Sequence, residues 1–182
     1  MHNADSMRIE EMTVQDCHAV LARTQVARLA CALHNQPYIV PVHIAFDGVS
    51  LYGYATLGQK IEWMRQNPLV CVQFDEVVSS TQWESVVTLG TYEELLPTGH
   101  EDTRRTAERL FERRAMWWEP ASVPLAGQPQ RPRILFRIHL RHVTGRRTVR
   151  DTPSRAHLLE PLSPPAGSRG LVHALRRLIG QR

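Results

Sequence analysis

Three strand-like segments follow one another between residues 26 and 56 with only short turns between them. The segments are Val26–Leu33, Tyr38–Phe46 and 50–55 ("SLYGYA"). They are rich in β-branched and aromatic residues, and the turns between them are "HNQP" and the hairpin signal Asp47-Gly48. Because a parallel connection needs a dozen or more residues, consecutive strands here must run antiparallel. The region therefore predicts an antiparallel meander rather than a parallel βαβ sheet.

Three more strands and three helices are predicted in the rest of residues 1–150. The strands are Leu69–Asp75, Trp83–Leu95, with a bulge at Gly90, and Ile134–Val143. The helices are a short one that begins at a Thr13 N-cap, Gln59–Gln66, which stops before Pro68, and His100–Trp118. A small antiparallel sheet removes its exposed edges by closing on itself. The predicted fold class is therefore mainly β, a six-stranded antiparallel barrel with peripheral helices.

The composition indicates an ordinary globular domain. The chain has 182 residues, 42% of them hydrophobic, and no apolar run approaches the roughly 20 residues of a membrane helix. The first twenty residues hold four acids and no apolar core, unlike a signal peptide. Three widely separated cysteines, Cys17, Cys31 and Cys71, favour reduced thiols in a cytoplasmic protein over a disulfide framework or a zinc site. We expect Cys31 and Cys71 to be buried as small hydrophobic residues.

Charge and proline content divide the chain near residue 150. Residues 131–182 carry twelve arginines against two acids, whereas residues 1–130 carry sixteen acids against ten basic residues. We expect a domain over residues 1–150 and a Pro/Arg-rich extension over residues 151–182 that ends in a short amphipathic helix. Such an extension can contact an acidic partner, the dimer mate or a nucleic acid. Most charge runs are only solvated faces, so the sequence does not favour a nucleic-acid role.

The turn from Thr56 to Lys60 is the best candidate for a binding site. The patterns GxGxxG, GxxxxGK[ST], GxSxG and HExxH are absent, and the nine histidines show no metal-ligand spacing. In this turn, backbone N–H groups lie at the positive end of the following helix, while Thr56, Gln59 and Lys60 supply a hydroxyl, an amide and a charge. A phosphate monoester fits this set. An ordinary helix start with a surface lysine fits the pattern equally well.

Two residues of the second strand have two interpretations each. Pro41 lacks a backbone donor, so it marks either a plain edge strand or a stretch whose backbone faces a ligand. His43 could face a pocket, although a single histidine in a strand is more often structural.

Four segments resemble, in order, those of a known family. They are "RLACALHNQPYIVPVHIAFDG", "LYGYATLGQKIEWMRQNPLVCVQFDE", "WESVVTLGTYEEL" and "ILFRIHLRHVTGRR". Together they resemble the pyridoxamine 5′-phosphate oxidase-like split-barrel flavoproteins, and within that superfamily the chain is most similar to the nitroimidazole-resistance (Nim-type) flavin-binding group. The resemblance covers about residues 12–147 and implies a six-stranded split-barrel homodimer with FMN at its interface.

The resemblance also implies which residues contact the flavin. The ring would lie along the second strand, the phosphate on the turn Tyr54–Lys60, and the "WESVV" strand would approach from the partner subunit. The implied residues are Ile39, Val40, Pro41, Val42, Tyr54, Ala55, Thr56, Gly58, Gln59, Lys60, Trp83 and Ser85. His43 and Tyr54 are the candidate catalytic proton donors. No metal site is expected.

The implied function is an FMN-dependent oxidoreductase that reduces a small acceptor, such as a nitroaromatic or quinone-like compound. Ile39 stands where the true oxidases carry Arg, and Gln59-Lys60 where they carry an Arg-Lys pair, which argues against oxidation of pyridoxamine phosphate. Tyr54 stands where the Nim-type group often has His, which argues against a nitroreductase role for that residue. The alternative is a non-catalytic flavin- or haem-binding protein for storage, sensing or chaperoning. A deazaflavin coenzyme is the alternative to FMN.

Overall fold

The computed structural model of the chain describes residues 7–112 and 133–150. The strands are β1 (Met7–Glu11), β2 (Val26–Leu33), β3 (Gln36–Phe46), β4 (Ser50–Thr56), β5 (Leu69–Ser79), β6 (Gln82–Glu94) and β7 (Arg133–Arg150). The helices are α1 (Val14–Arg23), α2 (Gln59–Gln66) and α3 (Glu101–Glu112). Within these described ranges, no helix is both long and apolar enough to cross a membrane.

The long strand β7 closes the sheet into a barrel. Its first half pairs with β4 and its last residues pair with β1 along one edge, while β6 pairs along the other edge. Because β3, β2 and β5 connect β4 to β6 in the strand order, six antiparallel strands return on themselves. Strand β1 is added outside this ring. The predicted mainly β split-barrel class is confirmed, with one strand more than the sequence indicated.

The ring is incomplete where β3 meets β4. Strand β3 pairs with β2 over eight residue pairs, from Gln36 to His43, but with β4 over only three, from Ile44 to Phe46. On the N-terminal side of Ile44, β3 no longer pairs with β4, although β4 continues to pair with β7 as far as Thr56. We call the gap between residues 39–43 of β3 and residues 54–56 of β4 the split.

Two hydrophobic clusters hold the described residues together. The larger fills the barrel interior, and α1 and α2 contribute buried residues to it, among them Leu21, Ile61 and Met64. The smaller lies on the opposite face of β3, β4 and β7, where Ala107 and Phe111 of α3 pack over the sheet. Helices α1 and α2 therefore close the barrel interior, whereas α3 covers part of the outer wall.

Most predicted elements are confirmed, with small changes at their ends. Strand β2 and helix α2 have the predicted bounds, and the Thr13 side chain caps α1. The bulge at Gly90 is also confirmed: the β6–β7 register shifts between Leu89 and Gly90, and a Cβ at Gly90 would lie only 2.6 Å from the His139 carbonyl oxygen.

Other predictions need correction or concern residues that the structure does not describe. Strand β1 ("MRIEE") was not predicted, because a short charged segment carries no clear alternation. Strand β7 extends to Arg150 rather than Val143. The predicted end of the third helix at Trp118 and the extension at 151–182 lie outside the described residues. All three cysteines are free; Cys31 is buried as expected, but Cys71 is only half-buried.

Candidate functional site

The alternation of β3 and β4 directs backbone polar groups into the split. The Ile44 N–H donates to the Gln25 carbonyl at 3.0 Å, so even-numbered residues of β3 turn their N–H and C=O toward β2, and Ile39 and Pro41 turn theirs the other way. Likewise the Asp47 N–H donates to the Ser50 carbonyl at 3.2 Å, so Thr56 turns its backbone groups toward β3. On the side to which Pro41 turns its backbone, β3 has no paired strand. The missing N–H of Pro41 therefore costs no hydrogen bond of the sheet.

The side chains of β3 alternate between the barrel interior and the outside along the split. Val40 and Val42 pack into the interior cluster, and Ala55 of β4 does the same. Ile39, at 59% exposure, and Pro41 lie on the surface. Of the residues expected along the flavin ring, only Ile39 and Pro41 therefore present side chains outward, while Val40 and Val42 support them from below.

Helix α2 is attached firmly to the barrel beside the split. Ile61 and Met64 are fully buried in the interior cluster. On its outer side Arg65 makes a bidentate ion pair with Glu94 of β6, with Nε and a guanidinium NH2 at 2.7 and 2.8 Å from the two carboxylate oxygens. At its end the Asn67 amide donates to the Ala32 carbonyl at 2.9 Å. These contacts fix where the first turn of α2 points.

The first turn of α2 has an uncapped N-terminus. Gly58 occupies the N-cap position in an extended conformation, and its carbonyl accepts from the N–H groups of Ile61 and Glu62 at 2.9 and 3.1 Å. No side chain of the described residues caps the helix. A Cβ at Gly58 would meet nothing within 4 Å. The N–H groups of Gln59 and Lys60 thus stand at a helix start beside open space, as an anion site requires.

Lys60 is the only lysine of the chain; the other 21 basic residues are arginines. Its side chain is half-buried, and burial lowers the pKa of its ammonium group, an effect that the nearby Cys31 thiol opposes. Among the described residues it has no ion pair with a carboxylate. A half-buried cation without a carboxylate partner is costly, and a bound anion would offset that cost.

His43 and Tyr54 lie together beneath α3. Their rings are 5.4 and 4.8 Å from the ring of Phe111. His43 is 1% exposed, and Tyr54 is half-buried. Burial raises the pKa of the Tyr54 hydroxyl, and Glu108 of α3 raises it further. The structure therefore brings both predicted catalytic residues to one place, at the outer margin of the split.

Trp83 and Ser85 lie far from the split within one chain. The Trp83 N–H donates to the Thr148 hydroxyl at 3.1 Å, near the end of β7, whereas the split adjoins the beginning of that eighteen-residue strand. Both residues line a cavity of about 620 Å³ beside Arg146. The Ser85 hydroxyl donates to an Asp75 carboxylate oxygen at 2.7 Å. Within one chain Trp83 and Ser85 are not brought together with the residues of the split, and their contact with a flavin in a second subunit stays a prediction.

The sequence reasoning missed the residues that surround the predicted ones. Phe111 and Arg104 come from α3, whose position over β3 and β4 cannot be read from its amphipathic pattern. Arg133 is the register partner of Thr56 across the β4–β7 ladder, a neighbour that only the strand pairing reveals. In the described residues no cluster of three His, Cys, Asp or Glu is arranged to hold a metal ion.

Comparison with known proteins identifies the family. The family model described as pyridoxamine 5′-phosphate oxidase matches residues 13–147. An uncharacterized protein of Rhizobium meliloti (strain 1021) is 41% identical over 144 residues, which are 77% of this chain and 95% of that protein. Because the family match covers most of the chain, this protein belongs to the pyridoxamine 5′-phosphate oxidase family. The family resemblance found in the sequence is thereby confirmed.

Solved structures with the same fold include flavin-binding proteins. The crystal structure of an FAD-binding protein from Mesorhizobium loti is 38% identical, with a TM-score of 0.66 over 79% of this chain and 99% of that one. A candidate 5-nitroimidazole antibiotic resistance protein from Bacteroides thetaiotaomicron is 17% identical, with a TM-score of 0.57 over 81% of this chain and 95% of that one. At that identity, the second comparison shows a shared fold only.

Proposed function

We propose that this protein binds a flavin nucleotide and uses it to reduce a small acceptor. The flavin phosphate nearest the ring, which FMN and FAD share, would lie on Thr56, Gly58, Gln59 and Lys60. The observation that carries this proposal is Lys60, the chain's only lysine, half-buried at an uncapped helix start beside the split. The FAD-binding relative at 38% identity supports a flavin as the anion's source.

The residues present fit a flavin in three respects. The turn offers N–H donors and space for a phosphate at Gly58. Ile39 and Pro41 offer an exposed, largely apolar surface for the ring, and the backbone groups turned into the split could bind the ring's polar edge. When bound, a flavin supplies hydride and single-electron transfer. The protein's part is to hold and orient it, with His43 and Tyr54 as proposed proton donors.

We propose a nitroaromatic or quinone-like compound as the acceptor. The absence of an arginine at Ile39 and of an Arg-Lys pair at Gln59-Lys60 argues against pyridoxamine phosphate, because an anionic substrate needs cations to hold it. A planar neutral acceptor needs only an apolar surface beside the ring. The three free cysteines agree with a cytoplasmic location, which we propose on that ground.

The absorption spectrum of the protein as purified tests the cofactor. We expect flavin bands, and mass spectrometry of the small molecule released by heat will name it. A colourless protein whose melting temperature does not change with FMN or FAD would refute the proposal. A deazaflavin or haem would be recognised by its own spectrum. Bound flavin that NADPH or NADH cannot reduce, or that passes no electrons to a nitro compound or quinone, would instead favour a storage or sensing role.

We also propose that two chains form a homodimer through the outer face of β2, β5 and β6. Leu69 and Leu89 are 54% and 48% exposed there, and they line a cavity of about 630 Å³ together with Ala30 and Cys71. Exposed apolar patches of this kind usually mark an interface. Light scattering should give a dimer for the wild type and a folded monomer for Leu89→Arg. A monomeric wild type would contradict this part of the proposal.

A further inference from the structure

A second cationic residue stands beside the proposed phosphate site. Arg133 is the register partner of Thr56 in the β4–β7 ladder. The alternation that turns the Thr56 backbone toward the split makes this a non-hydrogen-bonded pair, in which side chains lie closest. Partners on adjacent strands also share one face of the sheet. The Cβ atom of Arg133 therefore lies about 5 Å from the Cβ atom of Thr56, and both side chains are on the same face of the sheet.

The electrostatics of the neighbouring tyrosine support this placement. Arg104 and Arg133 both lower the pKa of Tyr54, against the larger effects of burial and Glu108 that raise it. Arg133 thus acts in the space above Tyr54 and Thr56, at the outer margin of the split. Arg104 belongs to α3, whereas Arg133 is the strand neighbour of Thr56, so Arg133 is the arginine of the two whose backbone lies beside the turn.

The positive charges around Thr56 come from two different elements. Lys60 belongs to α2, on one side of the turn, and Arg133 belongs to β7, on the other. One phosphate group needs one such cation together with the helix start. A second cation across the strand would face a second phosphate, and the planar guanidinium matches phosphate oxygens in a bidentate manner that a lysine cannot.

We propose that Arg133 binds the second phosphate of a dinucleotide flavin, so that this protein selects FAD over FMN. This inference rests on the proposed function, because it assigns a further contact within the same site. In this assignment, Lys60 binds the phosphate that FMN and FAD share. Arg133 binds the second phosphate, which only FAD carries.

The test compares two ligands across three variants. Flavin-free protein is titrated with FAD and with FMN while flavin fluorescence is followed. We expect Arg133→Gln to weaken FAD binding about 10-fold or more, the loss of a charge-assisted hydrogen bond, and to change FMN binding by less than about 2-fold. Arg133→Lys should lie between, because it keeps the charge and loses the fork. Arg105→Gln is the control, an exposed arginine whose ion pair is with Asp102 of the same helix, and should change neither affinity.

Competition by AMP gives a second readout that needs no flavin chemistry. AMP carries the phosphate assigned to Arg133 but not the one assigned to Lys60, so AMP should displace FAD from the wild type and at least about 10-fold less well from Arg133→Gln. Equal losses of FAD and FMN affinity, or an unchanged FAD affinity in a variant with a wild-type melting temperature, would overturn the assignment of Arg133 and leave the flavin proposal intact. Failure of the wild type to bind either flavin would overturn both.

Discussion

The helices α1 and α2 do the same structural work but begin in opposite ways. Both are short, and both bury an apolar face in the barrel interior, α1 through Val20 and Leu21 and α2 through Ile61 and Met64. Helix α1 starts at Thr13, whose hydroxyl accepts from the Asp16 N–H at 3.1 Å. Helix α2 starts at Gly58 with no side-chain cap.

The charges near the two helix starts also differ. Helix α1 carries Asp16 in its first turn, where an acid stabilises the helix dipole. Helix α2 has Glu62 in its first turn as well, but it also carries Lys60 closer to its start, where a half-buried cation opposes the dipole. The missing cap and the half-buried lysine both destabilise the free protein, and a bound anion would offset both costs. The comparison suggests that α1 is built for stability and that α2 is built for a ligand.

Placing an acidic cap on α2 should cause the largest change. In Gly58→Asp the new carboxylate meets no steric conflict and can cap the helix, so the free protein should gain about 0.5–1 kcal/mol. The same carboxylate occupies the phosphate position and repels it. Unit charges 4 Å apart near a surface interact by about 4 kcal/mol, so flavin affinity should fall on the order of 1,000-fold. Fluorescence titration and thermal melting measure the two effects.

Gly58→Asn is the matched control for this variant. It has nearly the same shape and can cap the helix, but it carries no charge. Its flavin affinity should fall much less than that of Gly58→Asp. Equal affinities in the wild type and in both variants would show that the phosphate lies elsewhere.

Removing the charge of Lys60 should have the next largest effect. Lys60→Met keeps a long side chain and loses a charge-assisted hydrogen bond, worth about 1.5–3 kcal/mol, so flavin affinity should fall about 10- to 100-fold. The free protein should melt at a higher temperature, because burial penalises the ammonium group. Lys60→Arg, which keeps the charge, should retain most of the affinity. A Lys60→Met variant that loses stability and binds flavin normally would identify Lys60 as a structural residue.

The pH dependence of binding should be smaller and should have a definite sign. Burial lowers the pKa of Lys60 in the free protein, and a bound phosphate would raise it, so binding takes up protons. Flavin affinity should therefore fall, by less than about 10-fold, as the pH rises from about 7 to 9.5. The free protein's stability should rise over the same window, because the unfolded chain holds this proton more tightly.

Calorimetry in buffers of different ionisation enthalpy measures the proton uptake. Reductive methylation with ¹³C-formaldehyde labels only Lys60 and the N-terminal amine, since the chain has no other lysine, and NMR then follows the pKa of Lys60 directly. Lys60→Arg should bind without a pH dependence in this range, because its guanidinium stays protonated. Proton uptake that persists in Lys60→Arg would assign it to another group.

The sequence predicted the strands of the meander and the position of α2 because their signals are local. The β2 and α2 bounds follow from periodicity, turn residues and Pro68, all within a few residues of the element. The split itself was not predictable by these means, because it depends on how far the β3–β4 ladder runs. The pairing of Arg133 with Thr56 depends likewise on a register between residues far apart in the sequence. The Trp83 and Ser85 assignments depend on a second chain and remain predictions.

Removing the cap of α1 should give the smallest change in binding and completes the comparison between the two helices. Thr13→Ala leaves the Asp16 N–H without its acceptor, and loss of such a cap typically costs about 1 kcal/mol. For a domain of this size the melting temperature should fall by about 2–4 °C. Flavin affinity should be unchanged, because α1 lies outside the split, and a measurable loss would show that α1 also shapes the site. Thr13→Ala should lower stability alone, whereas Gly58→Asp should raise stability and lower flavin affinity. That pair of results would show that the difference between the two helix starts is functional.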